Sequence, residues 1–332
     1  MLINDIGEFE LIEVLSNILT SAHPESAEFN ISSLKVPNGD DAAAWITNGK
    51  TELFTMDTCV ENVHFNTKFS SWHDIGWKAL ASNISDILAM GGIPAYGLVT
   101  IGAPATTKIE DLKSLYQGFA NISEQYDMII VGGDLVKSET MFISVSLIGV
   151  TDNEPITRSG ATSGDLVILT DTVGSSRGGL LLLSNESVTE SETQTLLLSK
   201  HRKPVPSIPE SILLSNLPAT SSMDLSDGLV SDLEKLCKKS NCGAIINASK
   251  VPVDQELIDC FPDQYINIAL AGGEDYVLLA TIRPTDLQKL QTQTEKCFVI
   301  GEITSGPDIK ILTDSGVELD KSKFQGWDHF SE

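Results

Sequence analysis

Acidic residues recur along this chain just past glycines and short apolar runs. The segments are Gly39-Asp40-Asp41-Ala42-Ala43, Thr55-Met56-Asp57, Ser85-Asp86, Gly132-Gly133-Asp134, Met223-Asp224-Leu225-Ser226-Asp227-Gly228 and Gly272-Gly273-Glu274-Asp275. Acids at strand ends and helix starts stand where sites are usually built. If several of them converge they repel, by ~4 kcal/mol for two carboxylates ~4 Å apart at an effective dielectric of ~20. A cation has to hold them, and hard oxygen ligands in that number point to Mg²⁺. Mg²⁺ on carboxylates points in turn to a phosphate substrate.

Each acid also has a plainer reading. Asp40 and Asp41 fit a turn or a helix cap, and Asp224 or Ser226 alone fits an N-cap. Gly132-Gly133-Asp134 uses the letters of a hairpin turn, and Gly272 to Asp275 fits a loop leading into a strand. Asp86 resists the plain reading more than the others. It falls in the last turn of a predicted helix, where an anion is unfavourable by ~0.3–1 kcal/mol. A bound cation would relieve that cost, and Asn83 shares the same helical face. Among the basic residues, Arg158 and Lys78 stand near enough to these motifs in the chain to help hold a nucleotide. The Gly-x-x-x-x-Gly-Lys-[Ser/Thr] loop, the Gly-x-Gly-x-x-Gly turn and the Gly-x-Ser-x-Gly elbow do not occur, so nucleotide would be held through metal and helix ends.

Hydrophobic periodicity supplies the elements that carry these residues. Helices are predicted over 8–21, 75–90, 112–125 and 226–240, with further ones starting at 178 and 210. Strands are predicted over 52–56, 96–101, 128–131, 141–150, 165–170, 244–246, 277–282 and 298–303. Asp57 and Asp134 then stand just past their strands. The polar, turn-rich stretch from Asp152 to Gly160 marks a boundary between units 1–150 and 151–332, and 185–195 reads as an exposed loop.

The 332 residues suit about two domains, and a hydrophobic fraction of 41% suffices for real cores. A net charge of −24 with no basic stripe argues against nucleic acid as a partner. The five cysteines are scattered and form no Cys-x-x-Cys pair, so neither structural zinc nor a disulfide framework is expected. The acidic start is unlike a signal peptide, and no apolar run approaches 18 residues. The expectation is a cytoplasmic protein without membrane contact.

Taken in order, the motifs resemble the thiamine-monophosphate kinase family. Those above are joined by Gly7-Glu8-Phe9-Glu10-Leu11-Ile12, Val63-His64-Phe65, Gly76-Trp77-Lys78-Ala79-Leu80-Ala81, Arg158-Ser159-Gly160-Ala161 and Gly326-Trp327-Asp328-His329-Phe330. Single motifs are shared with the sister aminoimidazole ribonucleotide and selenophosphate synthetases. The N-terminal segment, Gly273-Glu274-Asp275-Tyr276 and Asp328-His329-Phe330 are more particular to the kinase. Selenophosphate chemistry would want a reactive Cys near the start, and the first here is Cys59. A catalytically silent scaffold would have lost ligands, and none is missing.

The resemblance implies an α/β N-terminal domain with a four-stranded mixed sheet that builds a barrel across a homodimer. It also implies a C-terminal α+β domain of ferredoxin-like character. The implied reaction is ATP plus thiamine monophosphate giving ADP and thiamine diphosphate, by direct in-line transfer with several Mg²⁺ ions. Matched residue by residue, Asp40, Thr55, Met56 (through its carbonyl), Asp57, Asp86, Asp134, Asp224 and Asp227 are the implied metal ligands. Asp57, Asp86, Asp134 and Asp227 are implied to be catalytic. Tyr116, Gly133, Asp134, Arg158 and Ser226 are implied ATP contacts, and His64, Glu274 and Trp327 substrate contacts. Asp41 belongs to the motif without a settled role. Departures from the family pattern are Asn62 where Gly is usual, Leu135-Val136-Lys137 where Thr and Arg are usual, Asp171 for Gly and Ser207 for Arg.

Overall fold

A computed structural model describes residues 34–36, 40–47, 49–184, 192–217 and 219–329. The predicted helix over 8–21, the Gly7–Ile12 motif, Gly39 and Phe330 lie outside them.

The first sheet is built from β1 (Leu34–Val36), β2 (Ala43–Thr47), β3 (Lys50–Val60), β4 (Ile93–Ala103), β5 (Ile129–Lys137) and β6 (Phe142–Thr151). Their order is β1-β2-β3-β6-β4-β5, antiparallel except for the parallel β4–β5 pair. The four long strands β3, β6, β4 and β5 correspond to the expected four. The sheet nevertheless has six, because Ala43–Thr47 turns back on β3 and carries Leu34–Val36 at its edge.

Helices α1 (Trp72–Ala89) and α2 (Ile109–Gln125) accompany this sheet. Ser71 caps α1 by accepting the Asp74 N–H at 3.1 Å, as an N-cap serine should. The two helices approach closely: a Cβ on Gly76 would stand 2.1 Å from the Leu115 carbonyl oxygen, and one on Gly118 would stand 2.0 Å from that of His73. Only glycine tolerates this crossing.

The second sheet has the order β12-β9-β11-β7-β10-β8. Its strands are β7 (Leu166–Leu169), β8 (Ser221–Asp224), β9 (Gly243–Asn247), β10 (Leu278–Ile282), β11 (Phe298–Thr304) and β12 (Ile309–Leu312). All neighbours are antiparallel except β12 with β9. The helices of this half are α3 (Ser175–Leu183), α4 (Glu192–Arg202), α5 (Ile208–Asn216), α6 (Leu229–Ser240), α7 (Gln255–Cys260), α8 (Tyr265–Ala271) and α9 (Leu287–Gln291). The stretch 192–195, expected as loop, is the first turn of α4.

Each half has its own core, around Leu80, Ile84, Phe119 and Ile143 in the first and around Leu169, Leu233, Leu279 and Ile300 in the second. Helix α1 belongs to both halves. It is buried along almost its whole length, as a helix enclosed on all sides must be. Trp77 Nε1–H donates to the Pro204 carbonyl at 2.8 Å, and the Ser211 hydroxyl donates to the Leu88 carbonyl at 2.6 Å.

Two strands run longer than predicted, with consequences for the site. β3 continues past Met56, so Asp57 lies within the ladder opposite Val145. β5 continues past Val131, so Asp134 lies within it opposite Thr100. Strand pairing carried both segments past the point where apolar alternation stops. Among the described residues no helix is long and apolar enough to cross a membrane.

Candidate active site

Side chains alternate across a strand, and that alternation sorts the residues of β3. Thr55 and Asp57 point towards α1, whereas Phe54, Met56 and Thr58 point away from it. From α1, Asn83 Oδ1 accepts the Asp57 N–H at 3.1 Å, and Asp86 Oδ2 accepts the Thr55 hydroxyl at 2.7 Å. Asp224, at the end of β8, reaches the same place from the second half. One carboxylate oxygen from each of Asp41, Asp86 and Asp224 lies within 4.8 Å of the others.

The cluster is electrostatically expensive. Burial first, then Asp57, Asp224 and Asp41, push the Asp86 carboxyl well above the usual carboxylate range. Asp224 is raised by burial and then by Asp41, and Asp57 by burial and then by Asp227 and Asp41. Asp40 is pushed up to about 6, by burial and then by its neighbour Asp41. Arg158 answers part of this charge, its Nη2 donating to Asp41 Oδ1 at 2.6 Å while its backbone N–H donates to the Asp40 carboxylate at 3.1 and 3.2 Å. Burial works against the Arg158 charge, yet Asp41 and Asp40 hold it firmly protonated. Asp41 Oδ2 remains buried with no hydrogen-bond partner. An all-oxygen acidic set with an unsatisfied buried oxygen fits a hard divalent cation.

Asp227 stands at the rim, ion-paired with Lys235. Met56 turns its side chain outward, 63% exposed, so only its backbone could serve the site. The face of β3 that carries Met56 also decides the place of Asp134. Thr58, Ser144, Thr100 and Asp134 form one row across β3, β6, β4 and β5. Asp134 is therefore on the face opposite Asp57 and three strands away, roughly 14 Å at the ordinary strand spacing. Its carboxylate accepts its neighbour's N–H, that of Leu135, at 2.9 Å. The structure does not bring Asp134 to the acidic cluster. Gly133, one residue earlier on β5, falls in the row of Asp57, Val145 and Val99, and Tyr116 on α2 is half-exposed.

A second group adjoins the first. Lys78 Nζ donates to Glu274 Oε2 at 2.6 Å. Burial opposes ionisation of Glu274, but Lys78 holds its carboxyl below the usual range. His201 lies 3.6 Å from the same oxygen. Burial and then Lys78 push its imidazole down to about 3, so it is neutral near pH 7 and Lys78 supplies the counter-charge. Glu274 and Tyr276 both have left-handed backbones, φ 63° and 51°; such strain in non-glycine residues marks segments held for a purpose. Nearby, His64 Nδ1 accepts the Val60 N–H at 3.0 Å, the His64 and His329 Nε2 atoms are 3.4 Å apart, and Trp327 Nε1–H donates to His329 Nδ1 at 3.2 Å. Cys59, His64, Phe65, Lys78, His201 and Arg202 line a cleft between the halves.

Three of the departures have local explanations. Asn62 has φ 65°, a conformation that glycine adopts freely and asparagine best among the rest. Asp171 is paired with Lys296 at 2.7 Å, and Ser207 precedes α5 at its N-cap.

Sequence reasoning left Asp41 without a role, although it sits at the centre of the cluster. It also missed Asp232, Lys235 and His201. An acid in a first helical turn is ordinary, so Asp232 carried no signal. His201 and Lys235 lie outside every motif that was singled out.

Residues 39–151 match the AIR synthase related protein, N-terminal domain, and residues 162–314 match the corresponding C-terminal domain. A thiamine-monophosphate kinase of Buchnera aphidicola subsp. Schizaphis graminum is 35% identical over 307 residues, covering 90% of this chain and 92% of that one. One from Bacillus subtilis is 33% identical, covering 90% and 94%. The structure of AaThiL complexed with AMPPCP and TMP superposes with a TM-score of 0.85 at 31% identity, covering 99% of each chain.

Proposed function

Because the chain belongs to the thiamine-monophosphate kinases, within the AIR synthase related proteins, we propose that it transfers the γ-phosphoryl group of ATP to thiamine monophosphate, forming thiamine diphosphate and ADP. The observation that carries this reading from the chain itself is the meeting of Asp41, Asp86 and Asp224 from both halves at one point. A substrate phosphate is already a nucleophile near neutral pH, so the protein's work is positioning and charge neutralisation. One phosphate oxygen forms a bond to the γ-phosphorus as the bond to ADP breaks, in line and without a phosphoenzyme.

Asp40, Thr55, the Met56 carbonyl, Asp57, Asp86, Asp224 and Asp227 are the residues that would hold Mg²⁺, and Asp41 joins them on its position. The chemistry Mg²⁺ supplies when bound is neutralisation of charge between two polyanions. Arg158 and the Ser226 hydroxyl serve the nucleotide. Asp134, Gly133 and Tyr116 belong to the nucleotide set on family resemblance alone, and Asp134 to the metal set on the same ground. Glu274, kept ionised by Lys78, accepts from or pairs with the organic cation of the substrate. Trp327 offers its face to the same ring, and His64 borders it.

The division into residues 1–150 and 151–332 is read as two domains, the second with a ferredoxin-like core. The support is the strand order β11-β7-β10-β8, antiparallel throughout. A homodimer with a shared barrel is supported by the open face of the first sheet, where Phe54, Ile148 and Tyr96 form one row and Met56, Ser146 and Leu98 the next. Tyr96 and Leu98 are about half exposed there. The cytoplasmic location is read from the family.

Purified protein with ATP, Mg²⁺ and thiamine monophosphate is expected to form ADP and thiamine diphosphate in equal amounts, and thiamine in place of its monophosphate is expected to give neither. No product under conditions where a control kinase turns over would overturn the reading. Asp57→Asn is expected to lose most of this activity while staying folded by circular dichroism; near-normal turnover would remove Asp57 from the metal set.

A further inference from the structure

The segment from Asp224 to Gly228 carries three residues assigned above to metal or nucleotide, yet beyond Asp224 it belongs to neither β8 nor α6. A loop without a ladder has to find other partners for its N–H groups. Those of Ser226, Asp227 and Gly228 converge on a single atom, each donating to Asp232 Oδ2 at 3.1 Å. Successive N–H groups aimed at one point form the kind of concave nest that elsewhere takes a phosphate. Here the anion is the chain's own. Asp232 sits in the first turn of α6 and is fully buried, at 0% exposure. Its other oxygen accepts from Lys235 Nζ at 2.8 Å, and the same ammonium is paired with Asp227.

The far side of the loop is equally constrained. The Glu274 N–H donates to the Ser226 carbonyl at 2.8 Å, that of Tyr276 to Leu225 at 2.9 Å, and that of Trp327 to Asp227 at 3.1 Å. A Cβ on Gly273 would come within 2.3 Å of the Ser226 carbonyl oxygen. One buried carboxylate thus gathers the N–H groups on one side, while Glu274, Tyr276 and Trp327 gather the carbonyls on the other.

We propose that Asp232 is a positioning residue for metal and nucleotide: its carboxylate fills the nest, presets the Asp224–Gly228 loop, and leaves the Asp224 and Asp227 carboxylates and the Ser226 hydroxyl to meet the ligands. Phosphate does not bind at this helix start, because the N–H groups that would receive it are already engaged. Lys235 ties the Asp232 carboxylate to that of Asp227, so the nest and the rim ligand are set together. The inference rests on the reading of Asp224 and Asp227 as metal ligands.

The test uses two readouts: amide hydrogen exchange on the wild-type chain, and Mn²⁺ as a paramagnetic probe of metal binding. The N–H groups of Ser226, Asp227 and Gly228 are expected to be protected before any nucleotide is added and unchanged when AMPPCP and Mg²⁺ are added. Rapid exchange that becomes protected only with nucleotide would make the nest a phosphate cradle and overturn the proposal. Asp232→Asn keeps one acceptor but turns a donor towards Lys235. It is expected to retain its circular dichroism, to weaken Mn²⁺ binding about tenfold and to raise KM for ATP, while KM for thiamine monophosphate changes less than about twofold. Unaltered Mn²⁺ binding and KM for ATP in a folded variant would also overturn it. A wild-type chain that fails to bind Mn²⁺ would instead defeat the metal-ligand reading. If Asp232→Asn does not fold, the exchange measurement on the wild type decides.

Discussion

Neutralising Asp86 should strengthen the metal-free protein and weaken its response to metal. Its carboxylate oxygen lies within 4.8 Å of one from Asp41 and one from Asp224. At that separation two unit charges repel by roughly 3.5 kcal/mol at an effective dielectric of about 20, and Asp86 has two such neighbours. Proton uptake by the cluster, already raised above the ordinary carboxylate range, relieves much of this, so roughly 1–3 kcal/mol remains near pH 8. Asn preserves the shape and still accepts the Thr55 hydroxyl, which approaches to 2.7 Å. Asp86→Asn should therefore raise the urea-unfolding free energy by that amount when metal is chelated. Mg²⁺ at a hundred times its Kd should stabilise the wild type by about 2.7 kcal/mol and the variant by less than about 1 kcal/mol, so the two effects have opposite signs. A variant that is less stable than wild type without metal, or equally stabilised by it, would refute the view that carboxylate repulsion is what the cation relieves.

Arg158→Met removes the cation bonded to Asp41, whose side chain is fully buried, and should cost about 3–5 kcal/mol in urea unfolding. A loss under about 1 kcal/mol would mean that the neighbouring acids, not this pair, set the local energy. His201, 4% exposed, is neutral when folded and takes up a proton near pH 6.5 when unfolded. Below 6.5 the unfolded state binds more protons, so stability falls as pH drops towards about 3. Between pH 7 and 5 the wild type should lose about 2 kcal/mol that His201→Gln does not lose; parallel profiles for the two proteins would exclude His201 as the source. Leu98→Asp places a charge on the open face of the first sheet and should turn the proposed dimer into a monomer by analytical ultracentrifugation; a dimer with an unchanged sedimentation coefficient would move the interface elsewhere, and a monomeric wild type would remove it.

How much of this could be read from residues alone differs from site to site. Asp86 was legible because a carboxylate in the last turn of a helix conflicts with the helix dipole, and the last turn of α1 contains no basic residue. Apolar alternation revealed β6 almost to the residue, since one of its faces is buried throughout. It did not reveal β8, whose Ser221-Ser222-Met223-Asp224 has no apolar pattern and is a strand because β10 pairs with it. The ends of β3 and β5 were misjudged for the same reason, and with them the place of Asp134, which lies within β5 and not just past it. Once inside a strand, its face is set by parity and not by the glycines before it. The Asp41–Arg158 pair spans 117 positions, and no local rule could join them.

The path of α1 bears on how reactants come and go. A protein that opens like a clamshell keeps its hinge in a thin, hydrated connection. Here any such hinge would pass through a helix buried along almost its whole length and bonded to the second half through Trp77, Lys78 and Leu88. Opening would tear that helix from one of its walls and expose it to water.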